Sequence, residues 1–327
     1  MARHSERLIP ASLGILLALS SGGVARADLF AFTHHPAPLG SGTVVAHYSD
    51  AGQFVQTLPH GATLIAESAA GLTAAPDGWV YYSGNMLGAG YVNGIRPDNP
   101  SASRGAGPGP LNYPGGMTLG PDGKVYTASN RIRSEGVTGV LRFDPADGSL
   151  TTVVTAREPA VDFAFARAVA VGRDGDIYLS RDGIGVARYA AGTGEFVSLV
   201  VPPSVDVLDM DIGPDGNLYL PTAAGVYRYD AHTGARIDPF IPNGRGGLVG
   251  VSDLSFGGDG FVYLNDRIGK AVLRYDAVTG AFRDVFIGPE QYATGHLGDL
   301  RQIVYVVPEP VVLPLALAAL ALLVRRR

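Results

Sequence analysis

The chain has 327 residues and no cysteine, which excludes disulfides, thiolate metal sites and a cysteine nucleophile. Its 45 glycines, 23 prolines and 17% charged residues favour many short strands over long helices. A net charge of −5, with no basic run outside the termini, excludes a nucleic-acid partner, because such a partner needs a basic patch facing phosphates.

Residues 1–27 read as a secretory signal peptide. Arg3 and Arg7 make a positive start, and Leu8 to Leu19 supply an apolar stretch shorter than the ~20 residues that span a bilayer. Ala25-Arg26-Ala27 is a small-x-small cleavage site, with Ala25 and Ala27 as its small residues and Asp28 as the new N-terminus. Residues 28–43 form a lead-in.

Residues 44–307 carry a repeat. Its first half is a turn and a strand: Asp77-Gly78-Trp79-Val80-Tyr81, Asp122-Gly123-Lys124-Val125-Tyr126, Asp174-Gly175-Asp176-Ile177-Tyr178, Asp215-Gly216-Asn217-Leu218-Tyr219 and Asp259-Gly260-Phe261-Val262-Tyr263. Successive copies lie 45, 52, 41 and 44 residues apart, and Arg301 to Tyr305 reads as a sixth copy without its Asp-Gly. That spacing matches the ~40–45 residues of a four-stranded propeller blade. Pro121-Asp122-Gly123 and Pro214-Asp215-Gly216 place Pro where φ is restrained and Gly where φ is positive, so two strands reverse tightly. The aliphatic residue and the Tyr then face opposite sides of the blade.

The second half is another hairpin, seen at Val140-Leu141-Arg142-Phe143, Val186-Ala187-Arg188-Tyr189, Val226-Tyr227-Arg228-Tyr229 and Val272-Leu273-Arg274-Tyr275. Val45-Ala46-His47-Tyr48 is a fifth copy that precedes the first Asp-Gly turn. The N-terminal part therefore holds outer strands without inner ones, and the C-terminal part inner strands without outer ones. Pairing them closes a ring and removes the free sheet edges. The expected fold is all-β, a six-bladed β-propeller closed by pairing of N- and C-terminal strands. No outer hairpin is legible between Asn85 and Pro110. The repeated arginines sit outside the channel and are read as stems covering apolar surface between blades.

This pattern resembles the NHL-type and streptogramin lyase-like six-bladed propellers. The resemblance implies the fold and leaves the activity open among binding modules, lactonases and lyases. Six residues before each Asp-Gly turn, where the innermost strands begin, stand Gly71, Gly116, Ala168, Asp209, Asp253 and Gly295. Asp211 lies two residues after Asp209, on the same strand face, and His296 opens the last inner strand. Asp209, Asp211 and Asp253 are the candidate ligands of calcium or magnesium, and His296, Asp253 and Asp209 the candidate acid and base. Lyases of that family use a His beside a Glu with a divalent cation, and no Glu accompanies His296 on an inner strand. Gluconolactonase-like propellers hold calcium with Glu, Asn and Asp; Gly71 stands where their first Glu is expected.

The chain ends on Pro308-Glu309-Pro310, an uncharged apolar run from Val311 to Val324, and Arg325-Arg326-Arg327. The prolines stop the preceding strand, the apolar run enters the membrane, and the arginines stay on the cytoplasmic side. This order resembles the PEP-CTERM sorting signal of Gram-negative bacteria. The resemblance implies an exosortase-type transpeptidase as partner, only transient membrane contact through the tail at residues 308–327, and delivery to the cell envelope, outer surface or extracellular matrix. Without both ends the chain keeps 19 basic and 28 acidic residues, a net charge of −9, which argues against polyanionic ligands. The functional expectation is a non-catalytic module that binds extracellular polysaccharide or a surface protein. The alternative is a divalent-metal-dependent lyase or lactonase with its site at the propeller mouth.

Overall fold

The structure, a computed structural model, describes residues 27–35, 42–58, 68–86, 89–107, 111, 113–130, 139–156, 165–293 and 299–306. These residues form 24 strands in six four-stranded antiparallel sheets, which are the blades of a six-bladed β-propeller. The closing blade takes β1 (Asp28–His35), β2 (Gly42–Ser49) and β3 (Phe54–Leu58) from the start of the chain. Blade 1 holds β4 (Ser68–Ala74), β5 (Val80–Met86), β6 (Ala89–Arg96) and β7 (Asn99–Ala106); blade 2 holds β8 (Pro114–Leu119), β9 (Val125–Ser129), β10 (Gly139–Phe143) and β11 (Leu150–Thr155). Blade 3 comprises β12 (Ala166–Val171), β13 (Ile177–Arg181), β14 (Gly185–Tyr189) and β15 (Phe196–Val201). Blade 4 comprises β16 (Asp211–Ile212), β17 (Leu218–Thr222), β18 (Gly225–Tyr229) and β19 (Arg236–Pro242). Blade 5 has β20 (Val251–Phe256), β21 (Phe261–Asp266), β22 (Ala271–Asp276) and β23 (Phe282–Ile287), and β24 (Asp299–Val306) returns to the closing blade.

The repeat is spelled by hydrogen bonds. In each turn one oxygen of the Asp accepts from the backbone N–H two residues on, at 3.1–3.3 Å in all five copies. In three of them the other oxygen accepts the Tyr hydroxyl four residues on: Tyr126 to Asp122 at 3.0 Å, Tyr219 to Asp215 at 3.1 Å and Tyr263 to Asp259 at 2.8 Å. The intervening glycines all have φ between 73° and 87°, a region that side chains resist. The aliphatic residue and the Tyr do part company: Val125 packs toward blade 1 and Tyr126 toward blade 3. Six apolar clusters result, one between each pair of neighbouring blades.

The repeated arginines tie strands together. Arg228 bonds Asp238 at 2.7 Å and Asp215 at 3.1 Å. Arg274 bonds Asp284 at 2.6 Å and lies over the rings of Phe261 and Phe286. His47 takes this place in the closing blade, 3.2 Å from Asp28 and stacked on Phe30.

Three expectations are corrected. First, residues 28–35 of the lead-in are a blade strand: β1 pairs with β24 on one side and β2 on the other. Second, Arg301–Tyr305 is not a copy of the turn-and-Tyr strand. It belongs to β24, the innermost strand, whose Tyr305 faces Leu29 as Leu119 faces Val125. The Asp-Gly is missing because the first two strands of this blade come from opposite ends of the chain, so no turn joins them. Third, blade 1 does have an outer hairpin, β6 and β7. Glycines hid it. Gly94 occupies the arginine position because Tyr81 and Trp79 fill the space beside it, with a Cβ there falling 2.7 Å from the Tyr81 ring. Arg104 on β7 supplies the guanidinium instead, 4.1 Å from the Trp79 ring centre.

Candidate functional site

Asp209, Asp211 and Asp253 do come together, Asp209 just before β16 and Asp211 on it in blade 4, and Asp253 on β20 in blade 5. Each reaches across to the innermost strand of the next blade. Asp209 Oδ2 accepts from Leu254 N at 3.5 Å and Asp211 Oδ2 from Phe256 N at 3.4 Å, both long bonds, while Asp253 Oδ2 accepts from Ile303 N at 2.6 Å. Ser255 continues the row, its Oγ accepting from Tyr305 N at 3.0 Å. Asp253 is buried, whereas Asp209 and Asp211 are half-buried.

Burial strips water from these groups and disfavours their charged forms. It pushes the Asp253 carboxyl well above the usual carboxylate range, helped by the neighbouring Asp209 charge and a hydrogen bond between the two carboxyls. Asp209 is raised by burial too, although that same hydrogen bond and backbone amides oppose the shift. Both carboxyls are therefore raised, Asp253 the more strongly. Asp211 is pushed up to about 7, by burial first and then by the Asp209 charge.

The channel opens into a cavity of about 550 Å³ at the end carrying the Asp-Gly turns. Its wall is turn backbone with Leu119, Pro121, Val171, Ile212, Pro214, Phe256 and Val278. Asp211 and Arg173 are its ionisable lining residues, and Arg173 is engaged with the Pro214 carbonyl at 2.8 Å. This is the mouth where the inner strands end, not the one where they begin.

The ring expected six residues before each turn is present as Gly71, Gly116, Ala168, Asp209 and Asp253. Its sixth member is Gln302 and not Gly295, since Tyr305 holds the register position of Phe256 and Gln302 that of Asp253. Gly295 and His296 lie outside the described residues. So do Ala25, Pro308, Glu309, Pro310, Arg325, Arg326 and Arg327. Ala27 is described and packs against the cluster around Tyr305. Among the described residues no three His, Cys, Asp or Glu side chains are arranged as metal ligands. Among them, too, no helix is long and apolar enough to cross a membrane.

Composition gave no sign of a second feature, at the opposite mouth. Tyr113 and Phe165, each immediately before an innermost strand, are 52% and 61% exposed.

No protein-family model and no curated protein matches the sequence. Solved structures match the fold. A streptogramin B lyase structure aligns at a TM-score of 0.50 and 14% identity, covering 68% of this chain and 69% of its own. A protein of unknown function from Bacteroides thetaiotaomicron aligns at 0.54 and 16%, covering 78% and 77%. TolB from Acinetobacter baumannii aligns at 0.56 and 15%, covering 85% and 66%. At these identities the likeness establishes a shared propeller architecture.

Proposed function

We propose that this protein is an exported propeller of the cell surface or extracellular matrix that binds a protein or glycan and catalyses nothing itself. One observation carries the reading: the channel carboxylates are spent on amides of the next blade, while the cavity beside them is walled by backbone and apolar side chains. Such a wall recognises shape and offers hydrogen bonds, with few groups for chemistry. The signal-like start and the Pro308-Glu309-Pro310 tail support export.

A second reading, a lyase or lactonase, is favoured by Asp211. It lines the cavity, and a carboxyl poised near 7 suits a general base at neutral pH.

Turnover of lactones and cyclic esters, measured with and without calcium or magnesium, separates the two. The binding reading expects no turnover above background in either the wild type or Asp211→Asn. Wild-type turnover that the variant lacks would overturn it. Intact-mass analysis of secreted protein tests the sorting: the expected mass excludes Leu313 to Arg327, and a mass that includes them makes the tail an anchor.

A further inference from the structure

Tyr113 and Phe165 occupy the same place in adjacent blades, the residue just before the innermost strand of blades 2 and 3. In each blade a matching amide fixes the carbonyl: Asn130 N donates to Tyr113 O at 3.1 Å, and Asp182 N to Phe165 O at 2.9 Å. Tyr113 has φ of 47°, in the left-handed region that a tyrosine rarely enters. It is held there because the Asn130 side chain also donates to its carbonyl, at 2.9 Å. The same Asn130 side chain accepts from Ala166 N, in the peptide that follows Phe165. A single amide therefore bridges the two aromatic positions across the blade boundary. Beside them Arg167 and Asp182 form a two-pronged ion pair at the surface. Tyr113 and Phe165 each stand nine residues before an Asp-Gly turn, where blades 1, 4 and 5 carry Ser68, Asp206 and Gly250, so among these five blades the rings are particular to blades 2 and 3.

Two exposed aromatic rings, one in a strained backbone and both anchored by a shared side chain, do not serve the core. We infer that Tyr113 and Phe165 form a stacking platform for a neutral polysaccharide at the mouth where the innermost strands begin. A pyranose presents an apolar C–H face, which packs on the flat rings. Its edge carries hydroxyls that donate and accept at once. The Arg167–Asp182 pair offers both donors and acceptors within one neutral unit. Charge selects the ligand class further: the chain without its two ends is at −9, which repels polyanionic glycans. This goes beyond the reading above, since it concerns the opposite mouth and needs nothing from Asp211. An enzymatic outcome at the cavity would leave it standing.

The test is calorimetric titration of the purified full-length chain with neutral hexasaccharides of gluco, manno and galacto configuration, beside an oligogalacturonate of equal length. Saturable binding of at least one neutral sugar is expected, with the anionic one at least tenfold weaker. Tyr113→Ala and Phe165→Ala should each weaken that binding about five- to tenfold, the scale of one lost aromatic stack. Tyr113→Phe should stay within twofold, since stacking does not use the hydroxyl, and Val249→Ala, on the blade 5 side, should do the same. Thermal melting of each variant confirms folding. No saturation by any neutral hexasaccharide, or wild-type affinity in both folded alanine variants, overturns the platform.

Discussion

The two halves of the ring join their innermost strands in opposite ways. In blades 1 to 3 the strands meet backbone to backbone along their length, with Asn130, next to the end of β9, reaching the Ala166 amide at the start of β12. A Cβ on Gly71 would lie 2.6 Å from Met117 Cβ, one on Gly115 2.6 Å from Ala166 O, and one on Gly116 3.0 Å from Ala168 Cα. In blades 4, 5 and the closing blade, side chains span the junction, with Asp209, Asp211, Asp253 and Ser255 each reaching an amide of the next strand. The same ring position is thus a contact in one half and a bridge in the other. An innermost strand has one free edge of amides, and a polar bridge satisfies amides that a glycine contact leaves to other partners. The difference teaches that inner-strand carboxylates in a propeller are not by themselves a sign of chemistry.

The sharpest way to break the comparison is to move one solution into the other half. Gly116→Asp places the bridging side chain where Ala168 Cα and the Arg167 carbonyl leave no room. Overpacking against backbone is expected to cost more than about 3 kcal/mol. That appears as insoluble expression or a melting temperature about 10 °C lower. A variant as stable as the wild type would show that the glycine half is not tightly joined.

The second test removes a bridge. Asp253→Ala leaves Ile303 N–H buried and unpaired, at a cost of about 2 kcal/mol in chemical denaturation. Asp253→Asn retains an acceptor for that amide and cannot ionise beside Asp209, so it should lose little or nothing at pH 8. Equal losses in the two variants would remove the bridging role.

The smallest effect sharpens the electrostatics. Asp211 binds its proton more tightly folded than unfolded, since its carboxyl is raised to about 7. Its contribution to stability is therefore full below about pH 4, the unfolded range. It declines as pH rises and is gone above about 7. By linkage the full shift is worth about 4 kcal/mol. Solvent screening of the half-buried carboxyl reduces it to about 1–2 kcal/mol, the amount by which Asp211→Asn should gain on the wild type between pH 4 and pH 8. Stability curves that stay parallel over that range would mean the carboxyl is well solvated.

Much of the fold was legible because local chemistry repeats in the chain. Asp-Gly-x-aliphatic-Tyr names a turn that its Asp caps in all five copies and to which the Tyr returns in three, so each copy reports two strands and their register. The inventory of unpaired halves at the two ends was enough to close the ring at six. Blade 1 escaped because its outer hairpin is built on glycines, and β1 because its Leu29-Phe30-Ala31 follows no Asp-Gly turn.

What tertiary structure alone decided was the meaning of the carboxylates and aromatics. The sequence places Asp209, Asp211 and Asp253 on inner strands by counting from the turns. It does not say whether a neighbouring strand stands close enough to donate an amide, because that distance depends on the residue facing it from another blade, some 45 positions away. Counting also failed for the closing blade, where Gln302 and not Gly295 completes the ring, since two strands joined by no turn keep no common count. Tyr113 and Phe165 look like ordinary loop aromatics in the sequence. Only the ring brings their blades side by side, and only the Asn130 bridge holds both at the rim.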